Sequence, residues 1–376
     1  AGCGVAFKFI QALQRTAEFP KSVINDALDM VAVGTVGDIV SLKGENRTLT
    51  KYGIAIANTG RRANLRKFAE AISIDKITSE NISFGIVPHI NAAGRMDSAM
   101  NAVELFNSQD SAVVQEKIEK LISLNNERKR TQENSYEDCL TMVKGDENFI
   151  VLSVDEMHEG IAGIVAGKLK DRFNRPVIIV TPSEGEGHEG SYLKGTGRST
   201  QKVDMYDVLS KNGHLFERFG GHKSACGFLM KTENLEALRE GVTAQVELQM
   251  AADPQLFERQ LATDTYLEPE EVSVQLAKDL MSLAPFGEGN PNPKFKIENV
   301  TIRGLSYMGE NRTHARFNVC KSNSYVNCVL FREAQNLKSL LESGSSMDLI
   351  GSLSFQVWKG QERVQFIIDE IIERRN

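Results

Sequence analysis

Cysteine is scarce in this chain. The five present (Cys3, Cys139, Cys226, Cys320, Cys328) are scattered, odd in number and never spaced C-x-x-C. That argues against a disulfide framework and a zinc site, and points to a reducing, cytoplasmic setting. No apolar run approaches the about 20 residues that a membrane-spanning helix needs, so no membrane association is expected. The opening residues, A-G-C-G-V-A-F-K-F-I, lack the basic region, apolar core and small-residue cleavage site of a secretory signal. They also lack an initiator Met, so the chain is expected to start inside a longer protein. Positive charge is not in excess: the net charge is −6. A wholly basic nucleic-acid binder is thereby excluded, but a local positive groove is not, because steering depends on where charges sit.

What is present is ordinary globular material, 41% hydrophobic and 25% charged over 376 residues. Two or three domains are expected at that length. The fold class read from the pattern is multi-domain α/β. Residues 1–70 carry helical apolar spacing over Val5–Leu13 and Ile24–Val33, with a break at Gly34-Thr35 and a turn at Lys43-Gly44-Glu45-Asn46. Between Ile72 and Met100 the run S-F-G-I-V-P-H-I-N-A-A-G-R-M-D reads as a glycine-punctuated loop. Val113–Met142 has a narrow apolar stripe among charges, suiting either an exposed helix bridging two lobes or a plain surface helix. Phe149–Val154, Glu159–Phe173 and Pro176–Thr181 follow as strand, helix and strand, an α/β unit. Met205–Ser210 and Leu235–Ala251 read as helices. After Ala252-Asp253-Pro254 come a helical stretch, Val272–Leu283, and the turn-rich A-P-F-G-E-G-N-P-N-P. Five alternating runs then suggest an oligonucleotide-binding (OB) barrel: Phe295–Val300, Ala315–Val319, Tyr325–Phe331, Met347–Phe355 and Arg363–Ile367. Arg303, Arg312, Arg316 and Arg332, with Phe317, Tyr325, Phe331 and Trp358, would track phosphates and stack bases, unless the aromatics are core and the arginines a solvated rim.

The most informative stretch is Gly195–Phe228, where G-T-G-R-S-T is followed about twenty residues later by F-G-G-H-K-S-A-C-G-F. Glycine lets a backbone approach a ligand closely, and successive N–H groups in such turns can cup an anion. Arg198 offers a planar fork for phosphate oxygens, and Thr196 and Ser199 offer hydroxyls. His222 between glycines suits a phosphate, because an adjacent anion favours the imidazolium. The plainer alternative is a pair of tight structural turns. On these residues alone the ligand is a phosphate or a nucleotide.

In chain order the segments A-G-C-G-V-A-F-K, G-T-V-G-D-I-V, G-E-N-R, N-A-A-G-R-M, H-E-G-I-A-G-I-V-A, R-P-V-I-I-V-T, G-R-S, F-G-G-H-K-S-A-C-G-F and A-P-F-G-E-G-N-P-N-P resemble the RecJ family. Its members are bacterial 5′→3′ exonucleases specific for single-stranded DNA, within the DHH phosphoesterase superfamily. The resemblance covers essentially the whole chain. It implies the C-terminal part of a DHH lobe at residues 1–112, a connecting helix at 113–147, a DHH-associated domain at 148–252 and an OB-fold domain at 253–376. It also implies two-metal hydrolysis of phosphodiester bonds with Mn²⁺ or Mg²⁺, in DNA repair and recombination. Asp38 would be a metal ligand and, with His222, catalytic. Thr196, Arg198, Ser199, Gly220, Gly221 and His222 would hold phosphate, and Asn91, Arg95 and His158 would contact the strand. The plainer alternative for Arg95 is a pairing with Asp97 or another carboxylate, and Arg47 is placed either to brace Asp38 or to face solvent. The partners implied are single-stranded DNA, single-strand-binding protein and a RecQ-type helicase, with the chain a monomer.

The chain departs from the family at His89, where the family often has Arg, and in its metal motifs. The D-x-D, further Asp and D-H-H metal motifs do not occur, and the six histidines are dispersed. One Asp does not hold two metal ions, so the chain alone is expected to be inactive. Two other readings compete: a nano-RNase or cyclic-dinucleotide phosphodiesterase of the same superfamily, and a non-catalytic single-strand-binding fragment.

Overall fold

A computed structural model describes residues 1–17, 20–183, 192–321 and 324–374, apart from the side chains of Lys21 and Trp358. The expected stacking role of Trp358 therefore lies outside the described residues. The chain divides into two compact units, Ala1–Ile86 with Leu261–Asn376, and Val87–Gln260.

The N-terminal part of the first unit is helical, as expected: α1 (Gly2–Leu13), α2 (Lys21–Gly37), α3 (Gly44–Ala57), α4 (Ala63–Ala71) and the short α5 (Ser79–Asn81). Two sequence expectations fail here. Gly34 does not break α2, which runs on to Gly37. Its missing side chain instead admits α1, because a Cβ there would lie 2.5 Å from Cys3 Sγ. The Gly44 "turn" is the first residue of α3. A π-helical stretch, Ile82–Ile86, ends this part.

The second unit begins with α6 (Val87–Met96), α7 (Met100–Asn107) and the 32-residue α8 (Ser111–Met142). The predicted loop around N-A-A-G-R-M is thus helical. Pro88 follows directly on the π-helical stretch, an irregular part of the helical ladder rather than its regular interior, and Ala92 and Ala93 are fully buried. Burial overrides the glycine and proline signal. The strand–helix–strand unit is present as β1 (Ile150–Ser153), α9 (Glu159–Phe173) and β2 (Val177–Pro182). Then come β3 (Tyr192–Arg198), α10 (Met205–Lys211), β4 (Phe216–His222), β5 (Ala225–Lys231) and α11 (Leu235–Ala252). The sheet order is β1-β2-β3-β5-β4, with only β1–β2 parallel. Val177 to Val180 are buried on both faces, as a strand covered from two sides requires. One face packs Ile161, Val165 and Leu169 of α9 on Ile150, Leu152 and Ile179. The other packs Leu238, Val242 and Val246 of α11 on Val151, Ile178 and Phe228.

The remainder of the first unit holds β6 (Thr265–Tyr266), α12 (Val274–Met281), β7 (Phe295–Met308), β8 (His314–Lys321), β9 (Ser324–Leu330), α13 (Lys338–Glu342), β10 (Met347–Trp358) and β11 (Gln361–Glu373). The five expected strands are all there, four of them longer than their apolar runs and β9 of the same length, shifted by one residue. They close on themselves in the order β10-β11-β9-β8-β7, with β7 pairing back to β10. A Cβ on Gly351 would lie 2.1 Å from Ile367 O, at the point where the β10–β11 register shifts. The absence of a side chain there lets the barrel bend.

Candidate phosphate-binding site

Glycine plays two different parts in the G-T-G-R-S and F-G-G-H segments, which are strands rather than turns. A Cβ on Gly195 would meet the Phe228 ring at 2.0 Å, and one on Gly197 would meet Cys226 Sγ at 2.6 Å. These two make room for core side chains, not for a ligand. Gly221, at φ +151°, would collide with Ala225 O. By contrast, an added Cβ on Gly220 meets nothing within 4 Å, and on Gly227 nothing nearer than 3.8 Å. Register pairs Thr196 with Gly227 and Gly227 with Gly220, so three adjacent strands present Thr196 beside two bare glycines. That is an exposed shelf on the sheet.

The next row carries the charge. Arg198 and His222 both pair with Ala225, one from each side, which puts their Cα atoms roughly 10 Å apart on one face. The structure therefore brings Arg198 and His222 together at one end of the sheet. Arg198 Nη1 donates to Thr196 Oγ1 (3.2 Å) and to its neighbour's carbonyl at Gly197 (2.8 Å). Its guanidinium lies against Gly163 of α9, 2.6 Å from where a Cβ would stand. Among the described residues Arg198 has no carboxylate partner. Burial pulls the Arg198 guanidinium below its ordinary pKa; Cys226 opposes this, and repulsion from Arg95 adds to it. Burial pushes the Cys226 thiol up to about 12. At neutral pH it therefore carries no charge, and the arginine remains ionised without a counter-ion.

The other expected site residues divide. His222 Nδ1 accepts from the Ser224 N–H (3.3 Å), which leaves the proton of the neutral ring on Nε2 as a donor to a ligand. His158 is the N-cap of α9, its Nδ1 accepting from the Gly160 N–H at 3.1 Å. Arg95 lies on α6, four residues after Asn91, and both are exposed on one side of that helix. Arg95 Nη1 donates to Gly160 O (2.8 Å) at the first turn of α9, while Asp97 pairs with Lys120 (2.9 Å). The expected alternative pairing of Arg95 with Asp97 is not what forms. Ser199 departs most from expectation. It is buried, and its hydroxyl donates to Val203 O (2.8 Å), so the donor foreseen for phosphate is already used inside the fold. Thr196 likewise donates to Cys226 O (3.4 Å) and serves Arg198 as an acceptor.

Sequence reasoning missed Gly160, Gly163 and Gly227. The first two stand one turn apart within α9, where each costs about 1 kcal/mol relative to Ala. A Cβ on Gly160 would lie 2.7 Å from Arg95 O. Two glycines at that spacing inside a helix were the available signal: they open one face of α9 to Arg95 and Arg198.

Asp38 belongs to the first unit. It caps the C-terminus of α2, exposed, with its N–H on Gly34 O (2.9 Å). Among the described residues no group of three or more His, Cys, Asp or Glu is placed to hold a metal ion. The residues present do not make a two-ion centre. Arg47 neither braces Asp38 nor faces solvent freely; it donates to the carbonyls of Leu283 and Ala284. Leu42 N–H donates to Glu288 O (2.7 Å), and a Cβ on Gly289 would lie 2.4 Å from Ser41 Oγ. G-E-N-R and A-P-F-G-E-G-N-P are thus two halves of one structural interlock. On the barrel, Phe317 is core, as the plainer reading had it, whereas Tyr325 and Phe331 are more than half exposed. Phe331 stands edge-on to His314 at 5.5 Å. No helix among the described residues is long and apolar enough to cross a membrane.

Comparison with known proteins agrees with this architecture. The DHHA1 domain matches residues 146–248 and the RecJ OB domain matches residues 263–370, which defines the class: a DHH-associated domain followed by an oligonucleotide-binding barrel. Single-stranded-DNA-specific exonuclease RecJ of Bacillus subtilis is 30% identical over 98% of this chain and 46% of its own length. The RecJ of Thermus thermophilus is 34% identical over 79% of this chain and 42% of its own length. The crystal structure of Thermus thermophilus RecJ in complex with Mn²⁺ superposes with a TM-score of 0.80 at 29% identity, covering 94% of this chain and 50% of that one. The chain spans about half the length of the curated relatives it matches. It is RecJ-like, and corresponds to the C-terminal portion of that family.

Proposed function

We propose that this chain is the substrate-gripping portion of a 5′→3′ exonuclease specific for single-stranded DNA, acting in DNA repair and recombination. The observation that carries the reading is Arg198: half-buried, ionised, held rigid by neutral acceptors and lacking a carboxylate beside an exposed glycine shelf. A phosphate oxygen is the natural counter-ion for such a fork. His222 Nε2–H supplies a second donor at the same sheet end, suited to the scissile phosphate or its leaving oxygen. Arg95 and Asn91 add contacts along the strand. On the barrel, Tyr325 and Phe331 offer faces for base stacking, and Arg303, Arg316 and Arg332 track the backbone. A barrel of this kind supports a long single strand over a dinucleotide as substrate.

In the complete enzyme Mn²⁺ or Mg²⁺ would activate water and stabilise the phosphodiester oxygens. Asp38 is the one carboxylate this chain is proposed to lend to that centre. The described residues accordingly bind without cutting. The proposed setting is the cytoplasm, as a monomer, with single-strand-binding protein and a RecQ-type helicase as partners. Incubating the chain with a 5′-labelled 30-nucleotide single strand in Mn²⁺ tests the reading. Retention of the strand on a filter, weakening with salt and without cleavage products, is expected. Failure to bind overturns the gripping role, and cleavage overturns the incomplete metal centre.

A further inference from the structure

One polar cluster remains outside that account. Arg128 lies on α8, which packs against both α6 and α9. Its Nε donates to Asn125 Oδ1 (3.1 Å) and its Nη1 to Gln132 Oε1 (2.9 Å), so the guanidinium is clamped between two neutral amides of its own helix. Among the described residues no carboxylate approaches it. Asn125 is fully buried, and among the described residues its Nδ2 has no partner. The amide orientation is fixed, because Arg128 is donor-only and must meet the oxygen. Leaving a buried amide N–H₂ unsatisfied costs about 1–3 kcal/mol. A surface arginine with no further role would not require that arrangement. Arg95 ties this cluster to the site above. It is bonded to Gly160 O on α9, one turn from Gly163, against which Arg198 lies. Arg95 and Arg128 stand on α6 and α8, two helices that pack directly on each other; burial, and then repulsion from Arg95, lower the Arg128 pKa.

We propose that Arg128, positioned by Asn125 and Gln132, forms with Arg95 a second phosphate-binding position that takes a backbone phosphate next to the one held by Arg198. The inference rests on the nucleic-acid reading of Arg198 and extends it to α8. Three arginines without carboxylates, on α6, α8 and β3, then follow one strand over consecutive phosphates. Arg128 binds; Asn125 and Gln132 are positioning residues.

The test uses this chain, a fluorescent 20-nucleotide single strand and a salt titration. R128Q is expected to weaken binding 5- to 20-fold and to lower the slope of log K against log salt by about 0.7, one single-strand phosphate contact. Q132E keeps the side-chain shape but gives Arg128 a carboxylate. It is expected to weaken binding about fivefold with an unchanged or raised melting temperature. A purely structural Arg128 predicts the same effect on the melting temperature but no loss of binding, so the binding measurement separates the two. If R128Q does not fold, Q132E decides. Binding by both variants equal to the unaltered chain, while R198Q binds weakly, overturns this proposal and leaves the Arg198 reading standing. If R198Q also binds like the unaltered chain, the nucleic-acid reading itself fails.

Discussion

Two clusters of charged side chains in this molecule differ in closure. In the barrel, Asp348 is almost fully buried and accepts from Arg374 Nε (2.5 Å) and the Asn299 N–H (3.0 Å), while Lys296 pairs with it (3.1 Å) and with Glu298 (2.7 Å). Every charge there has its opposite. Around α9, Arg95, Arg128 and Arg198 are held by carbonyls, amides and a hydroxyl, none of them charged. The first cluster is complete and belongs to the barrel's architecture. The second is a set of cations without counter-charge among the described residues, the feature on which the proposed phosphate site rests. Charge alone does not distinguish a structural network from a binding site; the presence or absence of counter-charge does.

The contrast can be broken or sharpened by substitution. The largest effect is expected for R198Q, which should weaken single-strand binding on the order of 100-fold, equivalent to about 3 kcal/mol. Its melting temperature should change little, because no ion pair is lost. D348N should do the reverse, destabilising the barrel by about 2 kcal/mol with oligonucleotide contacts of the α9 face untouched. Burial alone would raise the Asp348 carboxyl, but hydrogen bonds from Arg374, Asn299 and Lys296 outweigh it and the net shift is downward. A depressed folded-state pKa gives stability that is present above the unfolded value of about 3.9 and lost as pH falls through the folded one. The melting-temperature gap between the unaltered chain and D348N should therefore be full at pH 7 and close below about pH 4. Next comes G163A. Alanine favours the helix by about 1 kcal/mol, but its Cβ would stand 2.6 Å from Arg198 Nη2 and push the guanidinium off its position. Binding should fall about tenfold while stability holds or rises. Smallest is S199A, expected to cost about 1 kcal/mol in chemical denaturation through the lost bond to Val203, with binding within twofold of the unaltered chain.

Much of this was legible beforehand. The strand–helix–strand unit, the long α8 and the five barrel strands follow from apolar period, and the DHH-associated and OB assignments from motifs in order. Arg198 and His222 could be singled out because each follows a glycine, but the expected turns are strands, and only the structure sets the two at one end of a sheet. What failed had a common cause: glycine and proline report local freedom, not what fills the space. Gly34 and Gly44 lie in helices, Gly195 and Gly197 yield to Phe228 and Cys226, and the expected loop at residues 87–96 is a helix because its alanines are buried. Ser199 looked like a donor because a sequence does not show that Val203 O lies 2.8 Å away. Arg128 was invisible for a different reason. Its companions Asn125 and Gln132 sit at helical spacing in a polar run, and only the structure reveals that Asn125 is buried.

The most direct measurement is the salt dependence of single-strand binding for the unaltered chain and R198Q, side by side. If a nucleic-acid phosphate completes the open arginine set, R198Q binds more weakly throughout and its slope of log K against log salt is shallower by about 0.7, so the gap between the two lines narrows as salt rises. Parallel lines of equal affinity would mean that no phosphate sits at Arg198, and the open cluster would need another anion.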